Sequence, residues 1–181
     1  MSTDTITSNV TTGVTLASGG AYGDPVTIAA GITVSGNPAI SIKAPWTVVN
    51  DGTVSGGTLG ILVSAAGAGY IQAWITNDAG GTIAATGHCI GIGDGSGPII
   101  IDNAGYIGSY KGVVLTGGSV TNEATGTIAG GGFGITGYRA AATITNAGTI
   151  AGNLNDDPPR QLYRQRIEPD RQYRHDRQPL Q

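Results

Sequence analysis

The chain has 181 residues, of which 32 are glycine and only 12% are charged, whereas average proteins contain about 7% glycine and about 25% charged residues. The formal net charge of −3 excludes a general attraction to nucleic acid or anionic lipid, and no apolar run reaches the roughly 20 residues that span a bilayer. The single cysteine, Cys89, excludes an internal disulfide. This composition favours one domain of stacked small residues, with no transmembrane segment and no nucleic-acid partner.

The first 24 residues lack the asparagine-containing unit that recurs later in the chain. We predict that residues 1–24 form an N-terminal cap or an irregular first coil. They contain no basic n-region followed by an apolar h-region, so no cleaved secretory signal is expected. Between residues 25 and 42, the runs PVTI, GITV and AISI predict three short strands.

From residue 46 onward, one unit recurs five times without two identical copies: a β-rich run, an asparagine, a glycine and a second β-rich run. The units are TVVNDGTVSG, WITNDAGGTIAA, IIDNAGYIGS, VTNEATGTIAG and TITNAGTIAG. A third run often follows, as in GILVS and GVVL. Apolar and small polar residues alternate within the runs, which indicates strands with one face inward. No run has the apolar spacing of a helix.

Three strands per unit without a crossover helix predict a parallel β-helix, or β-solenoid, in which each coil pairs with the next at about 4.8 Å. The fold is therefore predicted to be all-β, with three short strands per coil and about five coils in residues 25–152. Because terminal coils expose unpaired strands, we also expect end-to-end self-association.

The repeated asparagines are predicted to occupy one corner of every coil. An asparagine after a strand tolerates left-handed geometry and bonds its nearby backbone, and equivalent amides in adjacent coils can bond to one another. The following glycine supplies either a positive φ or a close backbone approach. We interpret the set as a structural ladder and not as a ligand site: Asn50, Asn77, Asn103, Asn122 and Asn146.

The composition changes abruptly near residue 153. Residues 153–181 contain no glycine, six arginines and four of the eight prolines, which predicts a disordered tail. One coding compatible with residues 171–179, read one base later, gives small residues like those of the preceding repeats. We therefore hypothesise that the tail derives from a frameshift within the repeat array.

Four carboxylates lie beside a ladder asparagine and should line up along one edge of the coil: Asp51, Asp78, Asp102 and Glu123. Polysaccharide hydrolases use two carboxyl groups about 5–9.5 Å apart, and carboxylates in adjacent coils would be about 5 Å apart. We favour solvated turn residues. A lyase would need a cation beside clustered acids, and residues 1–152 contain only three lysines and arginines. No catalytic residue is predicted.

No cofactor or metal site is predicted either. The stretch GIGDGSG, residues 91–97, occurs once, whereas calcium-binding nonapeptide turns need tandem copies. His88 and Cys89 are adjacent in a strand and should point to opposite sides, with Cys89 inward. His175 falls in the tail, so no Ser-His-Asp arrangement can be inferred.

Six aromatic residues recur near the predicted coil edges. They could bind sugars or a protein partner, or they could fill gaps beside long loops, and we favour packing. The residues are Trp46, Tyr70, Trp74, Tyr106, Tyr110 and Tyr138.

The units VTNEATGTIAGGGFGI and TITNAGTIAG resemble the passenger repeats of bacterial autotransporter adhesins and related β-strand-repeat surface proteins, over residues 25–152. The resemblance implies an extracellular or cell-surface protein that acts in adhesion or aggregation, with surface glycans or proteins as partners. We expect a non-enzymatic structural or adhesive fragment of such a protein. One alternative is a glycan-binding or glycan-cleaving β-helix protein, that is, a polysaccharide lyase, a hydrolase or a tailspike-like protein. Another is a degraded gene product without a function of its own.

Overall fold

A computed structural model describes residues 3–65, 70–93, 96–137 and 140–153. Over these ranges the chain is all-β, and its 17 strands wind into about six turns of a parallel β-solenoid. The predicted fold class is therefore confirmed. The predicted tail lies outside the described residues from residue 154 onward, while Asn153 is the last residue of the final strand.

Each turn places its strands on three faces that are joined by tight corners. Face 1 consists of β1 (Asp4–Ile6), β3 (Val26–Ile28), β6 (Trp46–Asn50), β9 (Ile71–Asn77), β12 (Ser96–Asn103), β14 (Gly118–Asn122) and β16 (Ala142–Asn146). Face 2 consists of β4 (Thr33–Gly36), β7 (Thr53–Gly56), β10 (Thr82–Ala84), β17 (Thr149–Asn153) and the first halves of β13 (Tyr106–Leu115) and β15 (Thr127–Gly137). Face 3 consists of β2 (Val14–Leu16), β5 (Ile40–Ile42), β8 (Leu59–Val63), β11 (His88–Ile92) and the second halves of β13 and β15.

The strands pair in parallel with their equivalents in adjacent turns, so similar residues stack in columns. Two inward columns are aliphatic, and the members named here are at most 1% exposed. The Face 1 column contains Val26, Val48, Ile75, Ile101 and Val120. The Face 2 column contains Val34, Val54, Ile83, Ile107 and Ile128. The predicted alternation of inward and outward residues is thus confirmed, and the interior is filled by side chains.

Residues 4–16 form a first turn below the coils counted from residue 25. β1 pairs with β3, β2 pairs with β5, and Val10 bridges to the strand above. Leu16 is 0% exposed although β2 pairs with only one other strand, β5, among the described residues. The following loop returns to this turn, since the Gly23 N–H donates to Asp4 Oδ2 and Tyr22 packs against the core. The chain thus closes this end of the solenoid with its own residues.

The opposite end is more open within the described residues. β16 pairs only with β14, and β17 pairs only with β15. The inward residues Ile144 and Ile150 of these strands are only partly buried. The two ends of the solenoid therefore differ in how completely they cover the core.

Candidate functional site

The five repeated asparagines lie in one inward column at the end of Face 1, which confirms the predicted ladder. Each amide nitrogen donates to the amide oxygen one turn above, and the four N···O distances from Asn50 to Asn146 are 2.8, 2.8, 2.7 and 2.8 Å. The lower four side chains are 0% exposed. Burying an amide without a partner is unfavourable, so the stack stabilises side chains that would otherwise destabilise the core.

The lower four amides also bond the backbone around the corner. Asn77 Nδ2 lies 3.3 Å from the carbonyl oxygens of Gly81 in its own turn and of Tyr106 in the next turn. Asn122 Nδ2 lies 3.2 Å from the Gly126 oxygen and 3.1 Å from the Thr149 oxygen. The predicted bond to the nearby backbone is therefore confirmed, and each amide links two turns.

The ladder ends where Ile28 replaces asparagine in the column. Ile28 pairs with Asn50, and Ile6 lies below it. Because Ile28 has no amide to donate, Asn50 Oδ1 is buried without a hydrogen-bond partner among the described residues. Loss of the ladder below this point thus leaves one unsatisfied acceptor in the core.

The glycine after each asparagine is required by close approach and not by a positive φ. A Cβ on Gly81 would lie 2.5 Å from Asn77 Oδ1, and one on Gly126 would overlap the Asn103 carbonyl oxygen. Neither glycine has a positive φ. The sequence left open whether a positive φ or a close backbone approach requires glycine here. Close backbone approach is therefore the reason at this corner.

Three of the four predicted carboxylates follow a ladder asparagine, whereas Asp102 lies within β12 beside the corner. The prediction that all four share one edge is therefore wrong for Asp102, because it precedes its asparagine and belongs to an outward column of Face 1. A hydrogen bond to the Asp51 carboxyl raises the pKa of Asp78, and burial and the charges of Asp51 and Asp102 act in the same direction. Asp78 thus holds its proton more tightly than an isolated aspartic acid does.

His88 and Cys89 point to opposite sides of β11, as predicted. Cys89 is 0% exposed, and its Sγ lies 3.1 Å from the Ile83 carbonyl oxygen. Burial raises the pKa of the Cys89 thiol, whereas burial and the neighbouring Lys111 lower the pKa of His88. Cys89 is therefore a core residue with a protonated thiol.

The preference for packed aromatics is correct for Trp46, which is 7% exposed, and wrong for four of the other five. The exposed set is Tyr70 at 87%, Trp74 at 36%, Tyr106 at 44% and Tyr110 at 57%. Tyr106 lies at an outward position between Thr82 and Thr127 of the adjacent turns, which are too small to cover its ring. Tyr138 lies outside the described residues.

Sequence reasoning did not identify an outward column on Face 3 in which His88, Lys111 and Phe133 stack one above another. The Lys111 Nζ lies 6.0 Å from the centroid of the Phe133 ring, a distance compatible with cation–π attraction. Tyr110 precedes Lys111 at the corner between Face 2 and Face 3. No sequence signal indicates this cluster, because its members come from three different turns.

Among the described residues, no group of three or more His, Cys, Asp and Glu side chains is arranged to hold a metal ion. Asp94 and Gly95 of the glycine-rich loop lie outside those residues. The described part of the chain also contains no helix long and apolar enough to cross a membrane. No protein-family model, curated protein or solved structure matches the chain.

Proposed function

We propose that this protein is a non-enzymatic structural β-solenoid, a fragment of a bacterial surface or secreted adhesin that acts through adhesion or self-association. The observation that carries the proposal is the filled interior, in which aliphatic residues and the asparagine ladder occupy most inward positions of Face 1 from Val48 to Val120. Such an interior serves rigidity, so binding groups must lie on the outward faces. Display outside the cell is part of the same proposal and rests on the repeat resemblance.

Glycan cleavage is less compatible with the arrangement of the carboxylates. Asp51 and Asp78 are in direct hydrogen-bond contact, whereas glycosidases hold their carboxyl groups about 5–9.5 Å apart so that a sugar bond fits between them. A lyase would need a cation at the same place. Of the described lysines, Lys111 lies on the corner between Face 2 and Face 3, and Lys43 precedes β6 at the opposite end of that strand from the ladder corner. Binding without cleavage is therefore the form of the alternative that these positions favour.

Two features support adhesion and self-association. Four aromatic side chains project from a rigid scaffold, and exposed aromatics provide large contact area with little loss of side-chain entropy. The edges of β16 and β17 are unpaired on one side within the described residues, and such edges can pair with another chain.

A direct test combines adhesion, turnover and association. The purified chain should bind to bacterial cells or to an abiotic surface, and should release no reducing sugar from a panel of polysaccharides. Light scattering should give an apparent mass that rises with concentration. Release of reducing ends that is abolished by Asp78→Asn would overturn the non-enzymatic proposal, and absence of both adhesion and association would overturn the adhesive one.

A further inference from the structure

The side chains around Tyr110 form a surface cluster that the asparagine ladder does not explain. We define the aromatic corner as Tyr106, Tyr110, His88, Lys111 and Phe133. His88, Tyr110, Lys111 and Phe133 lie on β11, β13 and β15 at the junction of Face 2 and Face 3, whereas Tyr106 begins the Face 2 half of β13 at the ladder corner. The cluster therefore spans three successive turns.

The two tyrosine rings lie against glycine backbone and expose their outer sides. A Cβ on Gly132 would lie 2.8 Å from Tyr110 Cζ and 3.0 Å from its Cε2, and a Cβ on Gly108 would overlap the Tyr106 phenol ring. Tyr106 nevertheless remains 44% exposed, and Tyr110 remains 57% exposed. Any larger residue at Gly108 or Gly132 would displace the rings, so the glycines hold them along the surface as open platforms.

The charged side chains of the described residues lie mostly along Face 1, where exposed Lys43 also precedes β6. The acidic side chains lie in Face 1 strands or directly beside them: Asp4, Asp24, Asp51, Asp78, Asp102 and Glu123. Lys111 instead lies on the far corner, with its ammonium group over Phe133. Because burial and Lys111 lower the pKa of His88, His88 is neutral near pH 7 and offers hydrogen bonds without charge. The aromatic corner thus presents one positive charge beside two ring faces.

We propose that the aromatic corner binds an acidic polysaccharide, with the apolar face of its sugars on Tyr106 and Tyr110 and a carboxylate on Lys111. Sugars present C–H groups on one ring face, which suits an aromatic platform, and an ammonium group donates charge-assisted hydrogen bonds to a carboxylate. Tyr110 follows Tyr106 by four positions, at most about 13 Å at ~3.3 Å per residue of extended strand, and the strand bends at the corner between Ser109 and Lys111. A span of this order suits an oligosaccharide better than a monosaccharide.

A nucleic acid fits this surface less well. Nucleic-acid affinity depends on neutralising several phosphates with lysine and arginine, whereas the corner holds a single lysine on a chain of net charge −3. Uronic-acid and sialic-acid polymers share the required chemistry, a carboxylate on a sugar ring. Comparing the affinities of both probes distinguishes which polymer the corner binds.

The inference rests on the proposed adhesive function and is tested with the full chain by isothermal titration calorimetry. Oligomers of galacturonic acid and of α2,8-linked sialic acid serve as probes, and methyl-esterified galacturonic acid oligomers serve as the neutral control. We expect at least one acidic probe to bind, and the ratio of the two affinities identifies the type of acid. Tyr110→Ala and Lys111→Gln should each weaken this binding about tenfold, equivalent to ~1.4 kcal/mol, and the neutral ester should bind as weakly as the variants.

The matched control is Tyr70→Ala, which removes the most exposed aromatic outside the corner and should leave binding unchanged. Circular dichroism checks that each variant folds, and Lys111→Glu provides a second charge variant. A deoxythymidine 20-mer serves as the nucleic-acid probe. The inference is overturned if neither acid binds, if Tyr70→Ala weakens binding as much as Tyr110→Ala, or if this 20-mer binds as tightly as the acids. Adhesion that persists in Tyr110→Ala would overturn this site while leaving the adhesive function intact, whereas a wild-type chain that adheres to nothing would overturn that function itself.

Discussion

Ile6 and Ile28 occupy, in the first two turns, the column that asparagine occupies in every later turn. Both solutions bury the side chain almost completely, and the strands pair in parallel above and below the change. The solenoid therefore winds without the ladder. The ladder adds a directional hydrogen bond between turns. An amide in this column needs another amide at the equivalent position of the adjacent turn, whereas an isoleucine packs against any apolar neighbour. The later turns thus combine burial with a defined register, and the first two rely on burial alone.

The largest effect should follow from cutting the ladder in the middle. Asn103→Leu removes the acceptor for Asn77 and the donor for Asn122, which leaves two buried amides partly unsatisfied. We expect a loss of about 3–5 kcal/mol in the free energy of unfolding, measured by urea denaturation. Ile28→Leu is the control in the ladder-free turns and should lose less than about 1.5 kcal/mol. Equal losses of stability at both positions would mean that the hydrogen bonds of the ladder add nothing to the packing of its side chains.

The next effect concerns backbone crowding at the ladder corner. Gly81→Ala places a Cβ within 2.5 Å of Asn77 Oδ1, whereas a Cβ on the adjacent Gly80 comes no nearer than 3.8 Å to the Asp51 carbonyl oxygen. Gly81→Ala should therefore destabilise the chain by about 2–3 kcal/mol, and Gly80→Ala by less than about 0.5 kcal/mol. Thermal unfolding of the two variants makes the comparison, and similar melting temperatures would contradict the close-approach explanation.

A smaller effect should appear when the ladder is extended into the first turns. Ile28→Asn supplies a donor to Asn50 Oδ1, which has no hydrogen-bond partner among the described residues. Ile40→Asn, in the same turn, places an amide between Val14 and Ile61. Both variants lose a buried isoleucine, so Ile28→Asn should be more stable than Ile40→Asn by about 1–2 kcal/mol. If the two variants unfold at the same urea concentration, the hydrogen bond from an asparagine at position 28 to Asn50 does not stabilise the chain.

The smallest effect should be the pH dependence of the paired carboxyls. The pKa of Asp78 is raised above its ordinary value of 3.8 by the Asp51 carboxyl, so the folded chain holds this proton more tightly than the unfolded chain does. Asp78 therefore favours folding at pH values below 3.8, and this contribution is lost as the pH rises through the raised value. We expect Asp78→Asn to raise the melting temperature at pH 7 relative to the native chain, and to do so less in high salt.

Glu123→Gln is the control for this pH effect. The residues at the same corner of the adjacent turns are Ala104 and Ala147, so no carboxyl lies directly above or below Glu123. The melting temperature of this variant should follow that of the native chain between pH 3 and pH 7. A larger rise for Glu123→Gln than for Asp78→Asn at pH 7 would show that the Asp51–Asp78 contact is not the cause.

Much of the fold and of the ladder could be predicted from the sequence. The asparagines are separated by 27, 26, 19 and 24 residues, yet they stack, because each follows a strand of the same pattern and the extra residues lie in the loops. The exposure of Tyr106 and Tyr110 could not be predicted in this way. It depends on Gly108, two residues after Tyr106, and on Gly132, which lies beneath the Tyr110 ring and belongs to the next turn.

The sequence by itself determined the period-two strands, the parallel stacking and the asparagine column, since these follow from a pattern repeated in each turn. Only the tertiary structure decided that Asp51 contacts Asp78, that His88, Lys111 and Phe133 share a column, and that the residues after β2 close the first turn. The physical reason is that inward positions are specified by burial within each strand, whereas outward neighbours depend on how corners of unequal length bring one turn over another.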